Sequence, residues 1–147
     1  MQAIRIIEIP DCKMVSSGIG MFGQEHFTAF NAWFSTLPRT KDAKDFAAEA
    51  PGGVEWLYIY ENGMAVPERF DIIDFKGGLY AVNTDIDQQT DIAVMDNALH
   101  EFLQKNGFEQ DNSRRRMGNI ITPPKAQEVL GYNQMDYYMP IKAICTK

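Results

Sequence analysis

The chain has 147 residues, which suits a single domain rather than two. Its 20 acidic residues exceed its 14 basic ones, and the net charge of −6 argues against direct binding to nucleic acid or to an anionic membrane. The two cysteines, Cys12 and Cys145, give neither a disulfide framework nor a metal-binding spacing. The first apolar run is broken by Arg5, Glu8 and Pro10, so it predicts neither a signal peptide nor a membrane span. We therefore expect one cytoplasmic domain, residues 1–147, without a metal or a cofactor.

The first half of the sequence predicts a strand, a helix and two further strands. Residues 3–9 and the small apolar residues after them predict one opening strand with a glycine-marked bend. Apolar residues at helical spacing then predict a helix that ends at Pro38: Phe27, Phe30, Phe34 and Leu37. Residues 39–53 predict a weak helical turn, and Asn62-Gly63 predicts a hairpin between the strands VEWLYIY and ERFDIIDF.

The second half repeats this order of elements. The segment LYAVNTD predicts a strand, and Thr90 or Asp91 is expected to cap a helix that ends at Gly107. A short strand follows, and then a polar loop in which the basic cluster from Arg114 to Arg116 is expected to be solvated. A helical turn in PPKAQEVLG and a final strand in MDYYMPIKAI complete the chain.

The two halves, about residues 3–76 and 78–145, thus predict a duplicated βαββ unit. Such a duplication predicts an α+β fold in which an antiparallel sheet carries two main helices on one face and a ligand cleft on the other. Nine residues are expected to be buried together between the sheet and the helices: Phe30, Phe34, Leu57, Ile59, Met95, Leu99, Phe102, Met139 and Ile141.

The strand VEWLYIY has an aromatic row and an aliphatic row. Because side chains alternate across a strand, Trp56, Tyr58 and Tyr60 share one face while Leu57 and Ile59 share the other. Aliphatic side chains suit a helix-covered face. We therefore expect Leu57 and Ile59 to face the helices and the three aromatic residues to face the cleft.

The last strand adds an acidic group to this pattern. Asp136 and Tyr138 lie on one face, opposite Tyr137, Met139 and Ile141. If both strands bury their aliphatic rows, the aromatic rows meet Asp136 in the cleft. A carboxylate inside an aromatic wall is how proteins hold lipophilic cations. The alternative is that these tyrosines face solvent and only support the sheet by cross-strand pairing.

Three features of the sequence resemble the GyrI-like small-molecule-binding domain: the ending YNQMDYYMPIK, the duplicated βαββ order and the segment YIYENG. This domain also forms the effector-binding half of AraC- and MerR-type multidrug regulators. The most specific match is Asp136, four residues before Pro140, with an aromatic residue at Tyr138. The family usually has the longer Glu at this position, at the base of the ligand channel. The resemblance implies a free-standing member whose channel wall includes the aromatic strand.

The resemblance implies a cytoplasmic protein that binds lipophilic or aromatic organic cations, for sensing or for sequestration. Its expected partners are a small hydrophobic or cationic ligand and a regulatory protein, with no direct contact to nucleic acid or membrane. The expected ligand-binding residues are Asp136, Tyr138, Trp56, Tyr58 and Tyr60, with Phe22 or Tyr80 at the rim.

Two other functions follow from the same resemblance. The first is hydrolysis of cyclopropane-containing alkylating compounds, for which Asp136 would act with Tyr138 or Tyr58. The second is modulation of another protein, as in gyrase inhibition. Binding is favoured over catalysis because the shorter Asp136 still supplies charge, whereas a nucleophilic water tolerates little displacement.

Overall fold

A computed structural model describes residues 3–144. Within this range the chain forms nine strands and three helices, in the order β1 (Arg5–Ile9), β2 (Cys12–Gly20), α1 (Glu25–Phe34), β3 (Asp45–Ala50), β4 (Gly53–Ile59), β5 (Asp71–Phe75), β6 (Gly78–Ile86), α2 (Ile92–Asn106), β7 (Phe108–Gln110), β8 (Met117–Ile120), α3 (Pro124–Leu130) and β9 (Gln134–Ala143). The strand pairings described below are all antiparallel, which confirms the predicted α+β class.

The chain divides into two compact units. One comprises Met1–Pro10 and Gly77–Lys147, and the other comprises Asp11–Lys76. Because β1 and β2 fall in different units, the prediction of one bent opening strand is wrong. Pro10 explains the break, since proline lacks the backbone N–H that a continuous strand needs.

The Asp11–Lys76 unit has the strand order β3-β4-β2-β5. Strand β2 lies between β4 and β5, and Met14 pairs with a residue of each. The predicted hairpin between β4 and β5 is therefore wrong. A turn does form at Asn62-Gly63, where Gly63 has φ +85° and the Met64 amide donates to the Glu61 carbonyl at 3.0 Å. The chain after this turn crosses to the far side of β2 instead of returning along β4.

Strand β3 replaces the helical turn predicted for residues 39–53. Its side chains alternate in exposure, with Phe46 and Ala48 buried. The ladder with β4 pairs Phe46 with Leu57 and Ala48 with Glu55. The alanines favour a helix locally, but such propensities amount to less than about 1 kcal/mol per residue, and sheet pairing outweighs them.

The other unit has the same strand order as the first. Its sheet runs β8-β9-β6-β1, which corresponds strand by strand to β3-β4-β2-β5, and β7 also pairs with β9. The difference lies in the edge strand. In the Asp11–Lys76 unit the edge strand is β5, the last strand of that unit in sequence. In the other unit the edge strand is β1, the first strand of that unit in sequence.

Helix α2 begins and ends as the sequence predicts. The Asp91 side chain accepts a hydrogen bond from the Val94 amide at 3.1 Å, and Gly107 ends the helix with φ +79°. The helix has 15 residues, and no helix within residues 3–144 is long and apolar enough to cross a membrane.

The nine residues predicted to form one core are divided between the two units. Met95, Leu99, Met139 and Ile141 are buried in one cluster, with Phe102 packed against it. Phe30 is buried in a second cluster, against which Phe34 packs. Leu57 is buried and Ile59 is half-buried, but neither belongs to the cluster that contains Phe30. The core residues of the second half were thus predicted correctly, and the two β4 residues were placed on the wrong face.

The Arg114 side chain is buried, so the prediction of a solvated basic loop is wrong at this position. Its side chain is only 6% exposed, and its Nε donates to Asp111 at 3.0 Å. Its Nη2 donates to the carbonyls of Leu79 and Ile141 at 2.9 and 2.8 Å, which ties β6 to β9. Hydrogen bonds from Ser113, followed by those from Arg114, hold the pKa of Asp111 far below its usual value.

Replacing Leu99 by alanine tests the core under α2. Leu99 is 1% exposed, so Leu99→Ala should lower the free energy of unfolding by about 2 to 5 kcal/mol through lost apolar burial and a residual cavity. Val94→Ala is the matched control, since Val94 lies in the same helix but is 63% exposed. Urea denaturation measures both changes, and equal effects for the two variants would show that Leu99 does not face the core.

Candidate functional site

Asp136 is a nearly buried acid on the face of β9 that is turned away from α2. The residue is 5% exposed. Tyr137, Met139 and Ile141 pack with residues of α2, and the alternation of β9 therefore sends Asp136 and Tyr138 to the opposite face. The face assignment that the sequence predicts for this strand is confirmed.

The Asp136 carboxylate is held by one cation and one hydroxyl. Arg5 Nη2 lies 2.9 Å from Asp136 Oδ2, and Thr84 Oγ1 donates to Oδ1. The strand register explains both contacts. Thr84 pairs with Asp136 in the β6-β9 ladder, and Arg5 pairs with Val82, which lies two residues before Thr84 on β6. A buried carboxylate needs such partners, because ionisation without them is costly. The sequence did not single out Arg5 or Thr84, since both contacts depend on strand pairing between distant segments.

Tyr138 and Tyr80 share this face with Asp136. The Tyr138 hydroxyl donates to Asn119 Oδ1 at 3.2 Å, and the two tyrosine rings meet edge to face with centroids 6.2 Å apart. Tyr80 is 1% exposed, and burial raises the pKa of its phenol. The guanidinium of Arg114 lies 4.7 Å from the Tyr80 ring centre. The ring of Tyr80, which the sequence suggests for the site rim, is therefore enclosed in this structure.

The aromatic residues of β4 pack against α1. The Trp56 ring lies 5.2 Å from Phe34 and 5.8 Å from Phe30. Tyr58 stacks on Phe34 at 5.4 Å, and Tyr60 packs against the same cluster. This corrects the prediction that the aliphatic row of β4 faces the helix. Helix α1 itself presents several aromatic rings, which pair favourably with other rings in edge-to-face and stacked geometries.

Phe22 is the most accessible ring of this aromatic cluster. It precedes α1, is 57% exposed, and lies 5.0 Å from Trp56 and 5.3 Å from Phe27. It therefore lies at the edge of the cluster, next to one of the residues predicted to bind ligand.

Asp45 is an acidic residue of this unit that the sequence analysis missed. It pairs with Tyr58 in the β3-β4 register, and Trp56 Nε1 donates to its Oδ2 at 3.0 Å. Burial raises the pKa of Asp45, and the hydrogen bond from Trp56 opposes this rise. The alternation of residues 45–48 was the available signal, but the alanines there suggested a helix instead.

A groove of about 660 Å³ lies between the end of α1 and the segment after β4. Trp33, Leu37, Met64 and Val66 supply its apolar lining, and Glu61 adds a carboxylate. None of the predicted site residues lines this groove. In the part of the chain that the structure describes, no three His, Cys, Asp or Glu side chains converge as metal ligands.

The predicted site residues are divided between the two units. Asp136, Tyr138 and Tyr80 belong to one unit, where they share a sheet face. The other unit contains four further predicted residues, namely Trp56, Tyr58, Tyr60 and Phe22. The structure thus brings Asp136 and Tyr138 together in one unit, and it brings Phe22 and Trp56 together in the other.

Solved structures of similar fold include three that match almost the whole chain. The C-terminal domain of EcmrR has a TM-score of 0.64 and 10% identity, with 98% of this chain and 99% of that chain covered. SAV2435 bound to tetraphenylphosphonium has a TM-score of 0.57 and 13% identity, with 95% and 94% covered. A hydrolase from Listeria innocua has a TM-score of 0.64 and 10% identity, with 95% and 91% covered.

No protein-family model matches the chain, and no curated protein matches it in sequence. The similarity to the solved structures therefore concerns the fold, since identities are 10 to 13%. It shows that this chain shares the fold of the EcmrR C-terminal domain and of SAV2435.

Replacing Asp45 by asparagine tests the environment of this carboxyl group. A pKa raised in the folded state means that folding favours the protonated acid, so ionised Asp45 lowers the stability above the raised pKa. Asp45→Asn keeps an acceptor for Trp56 and should raise the free energy of unfolding at pH 7. This gain in the free energy of unfolding should shrink as the pH falls below the raised pKa of Asp45. It should disappear below the pKa of Asp45 in the unfolded chain, about 3.9. Urea denaturation at pH 7, 5 and 3 measures it.

The control for this experiment is Asp42→Asn, because Asp42 is an exposed acid of the same unit. An equal gain in both variants would attribute the effect to the net charge of the chain rather than to burial of Asp45.

Proposed function

We propose that the protein is a cytoplasmic binder of lipophilic or aromatic organic cations, which it senses or sequesters. The observation that carries this proposal is the nearly buried carboxylate of Asp136, which shares a sheet face with Tyr138. A negative charge with little water around it attracts cations more strongly than an exposed one, because the local dielectric constant is low. Aromatic rings nearby add attraction through their electron-rich faces.

The similarity in fold supports a small-molecule ligand. The structure of SAV2435 contains tetraphenylphosphonium, a large cation whose charge is surrounded by phenyl rings. A ligand of this kind has the two properties that the Asp136 face favours, namely positive charge and apolar surface. Tetraphenylphosphonium is therefore a suitable first probe for this protein.

The aromatic residues of the Asp11–Lys76 unit form a separate part of the proposal. Phe22 is proposed to contact the rings of a ligand, whereas Trp56, Tyr58 and Tyr60, which pack against α1, are proposed to support it from within the cluster. Phe22 is the residue that a ligand reaches first, because more than half of its surface is exposed. Because the residue is 57% exposed, complete burial of its ring against a ligand would contribute about 1 to 1.5 kcal/mol.

Hydrolysis of cyclopropane-containing alkylating compounds is the alternative. One structure of similar fold is a hydrolase, and Asp136 with Tyr138 would supply the acid and the phenol. A general base must reach its proton within about 3 Å, directly or through one water. Here Arg5 and Thr84 each occupy one oxygen of the Asp136 carboxylate. This arrangement favours binding over catalysis, and the pair of Asp136 with Tyr58 has no support beyond the resemblance.

Calorimetric titration of Asp136→Asn tests the proposal. The variant keeps the shape of the side chain and removes its charge. Affinity for tetraphenylphosphonium should fall roughly ten- to a hundredfold, because a charge-assisted contact contributes about 1.5 to 3 kcal/mol. Affinity for triphenylphosphine oxide, a neutral compound with similar rings, should change little. Asp74→Asn is the matched control, since this acid is fully accessible on β5 and its side chain is 91% exposed.

Equal losses for the charged and the neutral compound would contradict the electrostatic role of Asp136. A second measurement separates binding from catalysis, in which parent and Asp136→Asn are incubated with a cyclopropane-bearing alkylator and analysed by chromatography. We expect no ring-opened product beyond one equivalent. Product that accumulates with the parent and stops with the variant would establish the hydrolase instead.

A further inference from the structure

We infer that Arg5 is an intramolecular cation that competes with the ligand for Asp136 and thereby lowers the affinity for every cation that must displace it. This inference rests on the proposed function, because it concerns the same carboxylate. In the structure the Arg5 guanidinium already occupies the position that a ligand cation would take, 2.9 Å from Asp136 Oδ2.

The exposure of the two partners is unequal. The Asp136 side chain is 8% exposed, whereas that of Arg5 is 52% exposed. Arg5 belongs to β1, the edge strand of its sheet, and its side chain reaches across β6 to Asp136 on β9. A guanidinium in this position can return to water without disturbing the strand pairing. Asp136 lacks this freedom because its strand β9 lies inside the sheet.

Few contacts hold Arg5 in place. Within residues 3–144, the polar contacts of its side chain are the ion pair with Asp136 and a long hydrogen bond to Thr84 Oγ1 at 3.4 Å. Arg114 provides the contrast within the same unit, since it is 6% exposed, bonds to two carbonyls and to Asp111, and covers the Tyr80 ring. Arg114 is thus fixed in the structure, whereas Arg5 is a displaceable partner.

The carboxylate keeps a partner when Arg5 leaves. Thr84 Oγ1 donates to Oδ1, whereas Arg5 holds Oδ2. Departure of Arg5 therefore frees one oxygen of an acid that remains hydrogen-bonded through the other. The result is a carboxylate with its charge uncompensated, which favours entry of another cation.

The oxygen that Arg5 vacates, Asp136 Oδ2, predicts a preference among cations. A ligand with N–H donors, such as an aromatic amidinium, replaces both the charge and the hydrogen bond that Arg5 gives to Oδ2. A phosphonium or quaternary ammonium replaces only the charge and leaves Oδ2 without a donor. Among cations that displace Arg5, donor-bearing aromatic cations should therefore bind more tightly than onium ions of similar size.

Removal of the Arg5 charge tests this inference. Affinities of the parent and Arg5→Gln are measured by calorimetry for tetraphenylphosphonium and for an aromatic diamidine. We expect Arg5→Gln to bind tetraphenylphosphonium about tenfold more tightly, the gain of a partly exposed ion pair that no longer has to be displaced. The gain for the diamidine should be similar, because both cations displace the same ion pair. In the Asp136→Asn background, Arg5→Gln should have no effect.

The matched control is Lys13→Gln, which removes the same charge from the exposed ion pair with Asp74 in the other unit. An equal gain from Lys13→Gln would overturn the inference, because the effect would then come from net charge. Unchanged or weaker binding by Arg5→Gln, while Asp136→Asn still weakens binding, would overturn the role of Arg5 and leave the proposed function intact. Absence of binding by both the parent and Arg5→Gln would overturn both.

A measurement on the parent protein is independent of how well the variants fold. The Nε–Hε signals of arginine side chains are followed by NMR during titration with the diamidine. Displacement should move the Arg5 signal to the position of a solvent-exposed arginine, while the buried Arg114 signal stays in place. An Arg5 signal that does not move at saturation would show that the ligand binds without replacing it, and would overturn the inference.

Discussion

The antiparallel ladder between β6 and β9 is the constraint on which the candidate site depends. It places Thr84 opposite Asp136 and Val82 opposite Tyr138, while the alternate residues of both strands pack under α2. Burial of that apolar face fixes the register, because a shift by one residue would turn every side chain to the other side. The position of the Asp136 carboxylate is therefore a consequence of the core on the opposite face.

Each unit places an acid beside aromatic rings, but the two acids are stabilised differently. Asp136 is ion-paired with Arg5 and accepts a hydrogen bond from Thr84. Asp45 accepts a hydrogen bond from the Trp56 indole, and burial raises its pKa. The same strand order in both units thus gives two electrostatic environments. The difference arises from the partners that the neighbouring strands supply.

Two features of the site could be predicted from sequence because they depend on short-range pattern. Alternation in the last strand assigned Asp136 and Tyr138 to one face, and the helical spacing of Met95 and Leu99 identified the core of α2. Alternation in β4 also grouped Trp56 and Tyr58 correctly on one face. It did not determine which face meets the helix, since that choice depends on the aromatic side chains that α1 presents.

The sequence by itself determined the α+β class, the boundaries of α2 and the residues that share a face, because these follow from local periodicity and capping. Only the tertiary structure decided that β5 pairs with β2 instead of β4, and that residues 45–50 form a strand. Only the tertiary structure also placed Arg5 on Asp136, across a separation in sequence that no short-range pattern spans. These outcomes depend on pairing between segments that are distant in the sequence. The free energy of this pairing exceeds local secondary-structure propensities, and the pairing leaves no periodic pattern in the sequence.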